Sequence, residues 1–171
     1  MAHGPFVPDF YRVMLVEGNR CSPSAVSVRK SFLDAHGLRF NTRKDYIVVE
    51  DYDFWLQVAR AGADFKFFNM ILGDCLVQAD SISGNTERYL HNLEVLLRDH
   101  VYRTQTFASD RDALWRRVSV RLWVGRVRQL AAGSQYGAAL TLAIKTLFNS
   151  PGGILAYLLS KLKLRVRKMI L

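Results

Sequence analysis

Apolar residues recur at helical spacing through most of the second half of the chain, which limits what that half can form. Residues 86–103, 109–131 and 135–148 each place apolar side chains three or four positions apart, the pattern of an amphipathic helix. The first two helices would bury Leu90, Leu93, Leu97, Val101, Leu114, Val118 and Leu122. A capping pattern, Ser109-x-x-Asp112, opens the second helix, and Pro151-Gly152-Gly153 breaks the third. We therefore expect an all-helical C-terminal part.

The first half of the chain mixes extended and helical patterns. Residues 24–30 and 63–70 alternate between apolar and polar side chains, which predicts two strands. Residues 31–37 predict a short helix that ends at its glycine. The apolar spacing of residues 52–59 predicts a second helix, which Gly62 would end. These elements together indicate a mixed α/β body.

Charge is distributed unevenly along the chain. Residues 1–97 carry 10 Lys/Arg and 12 Asp/Glu, whereas residues 98–171 carry 14 and 3, so the net charges are −2 and +11. A strongly basic part favours an anionic partner, such as a membrane surface, a nucleic acid or an acidic protein. The sequence signatures of nucleic-acid-binding folds are missing, so we expect no nucleic-acid partner.

Composition and cysteine use are typical of a globular intracellular protein. Half of the residues are hydrophobic, which excludes a disordered chain, and two cysteines in 171 residues make no disulfide framework. The longest uncharged stretches, residues 129–144 and 146–160, are too short and too polar to span a bilayer. The N-terminus lacks the pattern of a signal peptide. We expect a cytoplasmic protein, with a peripheral position on the inner face of the membrane as the alternative.

Three acids, Glu50, Asp51 and Asp53, lie at the start of the helix expected from Tyr52. Acidic side chains stabilise a helix N-terminus, by roughly 0.3–1 kcal/mol each. The pair Asp51 and Asp53 also has the DxD spacing of carboxylates that bind Mg²⁺ or Mn²⁺ with a nucleotide diphosphate. In a third interpretation, one carboxylate is a general base that takes a proton from a sugar hydroxyl. The pattern of the three acids leaves these interpretations open.

Several motifs follow one another between residues 12 and 85. The segment NRCSPSAVSVRKSFLDAHG leads into a Gly-x-x-Phe turn that ends at Phe40. The motif ED-aromatic-D-x-W-L-x-x-A-x-x-G then runs from Glu50 to Gly62, and Ser81-Ile82-Ser83 follows the second expected strand. In order and spacing, these motifs resemble the C-terminal half of the family 2 inverting glycosyltransferases, which have the GT-A fold.

The resemblance implies a reaction and a role for each motif residue. A sugar would pass with inversion from a nucleotide-diphosphate sugar to a saccharide or lipid-linked acceptor. Asp51 would be the catalytic base, with Glu50 as its acidic neighbour. Asp53 and Trp55 would anchor the helix and shape the acceptor pocket. The chain would therefore be a glycosyltransferase by resemblance.

The serine-rich segment before the short helix has two explanations. The resemblance implies that Ser22 and Ser24 face the substrate. Packing and turn formation account for both serines equally well. They are therefore candidate substrate-binding residues without a decided role.

The resemblance also implies a fold and a division of the chain. Residues 1–85 would be α/β, a partial GT-A-like (Rossmann-like) acceptor-side half, and residues 86–171 would be a basic helical extension. The family's donor-binding half, which often holds Mg²⁺ or Mn²⁺ through a DxD, would precede the residues matched here. We therefore expect a fragment that holds no cofactor or metal and is inactive by itself.

The basic extension suggests a function of another class. Residues 115–171 combine tryptophans with arginines, and residues 161–168 alternate basic and apolar side chains. Such a composition suits the headgroup boundary of an anionic membrane. The alternative function is therefore a non-catalytic basic helical module that binds a membrane surface or a partner protein.

Overall fold

The computed structural model describes residues 8–68, 70, 73 and 86–159. The chain divides into two compact units, Met1–Leu96 and Leu97–Leu171. The domain boundary expected after residue 85, the Ser81-Ile82-Ser83 motif and the basic segment 161–168 all involve residues outside the described ranges.

The first unit is built from helices joined by irregular segments. Its helices are α1 (Phe10–Glu17), α2 (Lys30–Ala35), α3 (Glu50–Arg60) and most of α4 (Thr86–Asp99), with 3-10 turns at Pro23–Ala25 and Lys44–Tyr46. Asp9 caps α1 by accepting a hydrogen bond from the Arg12 amide. Gly37 and Gly62 follow α2 and α3 with positive φ angles of 60° and 87°, which confirms that both glycines end their helices.

The core of the first unit centres on the packing of α1 against α3. Met14 and Leu15 of α1 and Leu56 of α3 are fully buried. The hydroxyl of Tyr52 donates a buried hydrogen bond of 2.6 Å to the carbonyl of Met14. This bond fixes the first turns of α3 against the end of α1.

The α/β prediction is wrong, because the described residues contain no β-strand. The expected strand 24–30 is a 3-10 turn, an extended segment and the start of α2. Val26 has extended angles, φ −129° and ψ 134°, but an extended segment becomes a strand only when a neighbour supplies the ladder of hydrogen bonds. In the described ranges no strand lies beside it. The GT-A-like (Rossmann-like) sheet expected in residues 1–85 is therefore absent there.

The prediction of a second strand at residues 63–70 is also wrong for those of its residues that the structure describes. A single bridge residue, Lys66, stands in its place. The alternation nevertheless marks a real face, since Phe65 and Phe67 pack on the ring of Phe10 with centroid distances of 4.5 and 5.3 Å. The alternation thus predicted correctly which side chains turn inward, but its prediction of a strand was wrong.

The second unit continues from α4 with helices that the sequence predicts well. A π-helical turn, His100–Thr104, precedes α5 (Arg111–Ala132), α6 (Tyr136–Asn149) and α7 (Pro151–Leu159). All seven apolar residues expected to be buried in α4, the π-helical turn and α5 are buried, which confirms the helical register. The cap of α5 is Asp110, which accepts from the Ala113 amide at 2.8 Å, and not the expected Ser109.

The predicted break at Pro151-Gly152-Gly153 is a bend of 101° between α6 and α7. At the bend the hydroxyl of Ser150 donates to the carbonyl of Arg116 in α5 at 3.1 Å. A Cβ atom on Gly153 would lie 2.3 Å from Ser150 Oγ and 2.8 Å from a methyl group of Val120. The bend therefore needs glycine at position 153, since α7 starts in close contact with α5.

We expect Gly153→Ala to lower the free energy of unfolding by roughly 1–3 kcal/mol, because the added methyl overpacks the contact with Val120. The matched control is Gly152→Ala, whose added methyl meets no atom within 4 Å. Urea unfolding followed by circular dichroism measures both variants. Equal stability of the two variants would contradict a close approach at residue 153.

Candidate functional site

The three acids of the sequence motif lie in the first turn of α3, which begins at Glu50. The residue before the helix, Val49, makes no side-chain cap. The acidic side chains therefore supply the negative charge that the amide end of the helix favours. All three acids lie where the helix dipole favours negative charge, but their surroundings differ.

A strained turn positions the start of α3. Val48 has φ 69°, in the left-handed region, where a β-branched residue is an outlier that costs roughly 1–3 kcal/mol. The turn is held on both sides, because Tyr46 and Val49 are buried. The side-chain amide of Asn92 in α4 also donates to the carbonyl of Ile47 at 2.8 Å. The surrounding packing therefore determines where α3 begins.

Asp53 is the anchored acid of the three. Only 3% of its surface is exposed. Its Oδ2 atom accepts hydrogen bonds from Asn41 Nδ2 at 3.3 Å and from Gln57 Nε2 at 2.6 Å. A buried carboxylate with two such donors holds the loop of Asn41 against α3. Asp53 thus connects α3 to this loop, and its expected role in an acceptor pocket stays a prediction.

Asp51 is half-buried and differs electrostatically from Asp53. Burial raises the pKa of its carboxyl group, and the nearby charge of Glu50 raises it further. The amides of Tyr52 and of Asp51 itself, and the side chain of Asn19, act in the opposite direction on this pKa. The net effect is a carboxylate with a raised pKa, which holds a proton more readily than an ordinary aspartate and is therefore a stronger base.

The side chain of Asn19 joins Asp51 to the loop that follows α1. Its Nδ2 atom donates to Asp51 Oδ2 at 3.5 Å, a long hydrogen bond, and its Oδ1 atom accepts from the Cys21 amide at 3.0 Å. Cys21 is buried, and burial, with a smaller effect of the charge on Asp51, raises the pKa of its thiol to about 12. The thiol is therefore neutral and a poor nucleophile near neutral pH.

Glu50 and Trp55 flank this cluster on α3. Glu50 is half-buried, and its Oε2 atom is buried with no hydrogen-bond partner among the described residues. The indole N–H of Trp55 also has no hydrogen-bond partner among the described residues. Its ring packs edge to face on that of Phe54, with 5.0 Å between the ring centroids. Since 4% of Trp55 is exposed, the side chain is part of the core at this end of α3.

The two candidate serines differ from the acidic cluster in their exposure and in their hydrogen-bond partners. Ser22 and Ser24 are exposed, and their hydroxyl oxygens lie 3.1 Å from each other. Ser22 directly precedes the 3-10 turn Pro23–Ala25. This geometry suits turn formation, and contact with a substrate stays a prediction.

Two functional partners were missed by sequence reasoning, Asn19 and Asn41. Asn19 is the first residue of the NRCSPS segment, so the motif contained a signal for it. Asn41 lies in a polar loop 12 positions before Asp53, and nothing in the local pattern distinguishes it. Both amides hold an acid of α3 from outside the helix.

The helical geometry disfavours the DxD interpretation. Residues two apart do not face each other on an α-helix, so Asp51 and Asp53 diverge. The buried Oδ2 atom of Asp53 is already taken by Asn41 and Gln57. In the described parts of the chain, no group of three or more His, Cys, Asp or Glu side chains is arranged to hold a metal ion.

Comparisons with known proteins assign no family to the chain. No protein-family model, no curated protein and no solved structure matches it. The candidate site is therefore supported by the motif residues and by the geometry around α3.

The raised pKa of Asp51 makes a prediction about stability and pH. A group whose pKa is raised in the folded state contributes stability below its unfolded pKa, about 3.9 for aspartate, and loses it as the pH rises through the folded value. Ionised Asp51 therefore costs stability at neutral pH. We expect Asp51→Asn to unfold at a higher urea concentration than wild type at pH 7, with the difference shrinking towards pH 4.

The control for this comparison is Asp64→Asn, which removes one negative charge at an exposed position. Urea unfolding at several pH values between 4 and 8 measures all three proteins. A loss of stability in Asp51→Asn at pH 7 would contradict the electrostatic description of the site.

Proposed function

We propose that this chain carries the acceptor side of an inverting glycosyltransferase, with Asp51 as its general base. The observation that carries this proposal is the half-buried position of Asp51 at the start of α3, within the Glu-Asp motif and beside Asn19. Burial at this position raises the pKa of its carboxyl group. Support comes from the motif residues and their geometry alone, because the sheet implied by the resemblance is absent from the described residues.

The proposed step uses one carboxylate oxygen of Asp51. The carboxylate takes the proton of an acceptor hydroxyl while that oxygen forms a bond to the anomeric carbon of the donor sugar. The bond from this carbon to the nucleotide diphosphate breaks on the opposite face, and the diphosphate leaves with the electron pair. Inversion at the anomeric carbon follows from the single displacement. A base of raised pKa accepts the proton with more driving force than an ordinary aspartate.

The surroundings of the three acids support Asp51 over its neighbours as the base. Asp53 is nearly fully buried and engaged by Asn41 and Gln57, so it suits an anchoring role. Glu50 places a second negative charge beside Asp51 and raises its pKa. Asn19 orients the carboxylate of Asp51 through the bond to Oδ2. In this proposal, Glu50 and Asn19 position and tune the base.

The donor would be held by a separate donor-binding polypeptide or domain, as the resemblance implies. The isolated chain would therefore bind neither UDP-sugars nor GDP-sugars, and it would not turn over. This expectation is checked by calorimetry with the purified chain, where heat of binding from any of these nucleotide sugars would contradict it.

The activity is tested with the chain expressed in its natural genomic context, so that any sequence joined to it or encoded beside it is present. Release of UDP or GDP from a panel of nucleotide sugars is measured with saccharide and lipid-linked acceptors. We expect Asp51→Asn to lower the rate by at least about 100-fold, the usual contribution of a general base.

Asp64→Asn, the same change at an exposed acid, is the matched control, and its rate should stay within about twofold of wild type. Equal rates for the two variants, or no release of nucleotide from any donor, would contradict the proposed role of Asp51.

A further inference from the structure

An apolar face on α6 is exposed over the full length of the helix. The exposed side chains recur at intervals of four, four, three and one, which places them on one stripe of the helix. They are Tyr136, Leu140, Ile144, Leu147 and Phe148. The residues of α6 that are buried, Ala139 and Thr146, lie on the other side. Phe148 has 80% of its surface exposed, which is unusual for a phenylalanine.

The exposed apolar surface continues beyond the bend into α7. Leu155, Leu158 and Leu159 are each about half exposed and share one face, at spacings of three and one. Between Tyr136 and Leu159 the sequence contains one charged residue, Lys145. The two helices thus present a nearly uncharged apolar surface, which we call the α6–α7 face. An apolar surface of this kind marks an interaction site.

The charges of the second unit indicate the chemistry of the partner. From Ala113 to Leu171, 59 residues carry 11 Lys/Arg and no Asp or Glu. Arg116, Arg117 and Arg128 of α5 are exposed, and the carbonyl of Arg116 is bonded to Ser150 at the bend between α6 and α7. The α6–α7 face lies within this acid-free, cationic segment and is therefore complementary to a partner that is apolar inside and anionic outside.

No described helix alone is long and apolar enough to cross a bilayer, and only the bent pair α6 and α7 reaches that length and composition together. Because of the bend of 101°, the axes of the two helices are nearly perpendicular to each other. A helix pair of this shape, with apolar side chains exposed on both helices, suits a position in the interface of one leaflet.

We propose that the α6–α7 face binds the surface of an anionic lipid leaflet. Its apolar side chains insert at the boundary between headgroups and acyl chains, and the arginines of α5 contact lipid phosphates. Burial of Phe148 and the leucines supplies the apolar part of the binding, and the basic residues near the surface add the electrostatic part. This activity requires none of the acids of α3 and is therefore independent of the proposed glycosyl transfer.

The test is co-sedimentation of the full chain with vesicles of phosphatidylcholine alone or with phosphatidylglycerol added to about one third. We expect binding to the anionic vesicles that weakens at high salt, and at least about tenfold weaker binding to neutral ones, since several cations contribute. Far-UV circular dichroism confirms that each variant is folded.

Two pairs of variants separate the apolar and the electrostatic contributions. Phe148→Ser should weaken binding to anionic vesicles about tenfold, whereas Phe68→Ser, at an exposed phenylalanine of the first unit, should change it less than twofold. The double variant Arg117→Gln with Arg128→Gln should weaken binding at least about fivefold. Its control, Arg29→Gln with Lys44→Gln, removes two exposed positive charges from the first unit.

The outcomes divide clearly. Absence of binding to anionic vesicles by the folded chain, or equal effects of Phe148→Ser and Phe68→Ser, would overturn the proposal. Sedimentation velocity of the chain without lipid measures its self-association. Self-association that Phe148→Ser abolishes, together with no vesicle binding, would show that a second copy covers the α6–α7 face instead of lipid.

Discussion

The buried hydrogen bond from the Tyr52 hydroxyl to the Met14 carbonyl is the contact on which the candidate site depends. It ties the first turns of α3 to the last turn of α1, while Met14, Leu15 and Leu56 exclude water around it. Because the chain leaves α1 directly after this contact, Asn19 and Cys21 come to lie beside Asp51. The strained Val48 and the buried Tyr46 fix the other approach to α3. The position of Asp51 is therefore set by core packing on both sides and not by its own bonds.

Asp53 and Asp51 lie in one helical turn but differ in their depth and in their hydrogen-bond partners. Asp53 is buried and accepts hydrogen bonds from two side-chain amides, which replace contacts with water that burial removes. Asp51 is half-buried with one long side-chain hydrogen bond, and burial raises its pKa. The fold tolerates the cost of that charge at neutral pH. A cluster that looks redundant in the sequence thus combines one carboxylate held by hydrogen bonds with another of raised pKa, which is the proposed base.

The sequence predicted what depends on local periodicity and missed what depends on distant partners. The register of α4 and α5 and the glycines after α2 and α3 follow from spacings within a few residues, so these predictions were correct. The strands at residues 24–30 and 63–70 were wrong, because alternation reports which side chains turn inward and cannot supply a neighbouring strand. The bonds from Asn19 to Asp51 and from Asn41 to Asp53 join residues 32 and 12 positions apart, beyond the reach of any local pattern. Exposure of the α6–α7 face likewise became visible only once the buried side of α6 was known.

The proposed chemistry depends on the raised pKa of Asp51, which follows from its burial beside Glu50. The most direct measurement is a pH titration of the Asp51 side-chain carboxyl by carbon-detected NMR on the full chain, assigned with Asp51→Asn. We expect a midpoint above the usual value of about 3.9 for aspartate, and a further rise when Asn19→Leu removes a donor to the ionised form. A midpoint at or below that usual value would contradict it and would leave Asp51 as one more acid that stabilises the N-terminus of a helix.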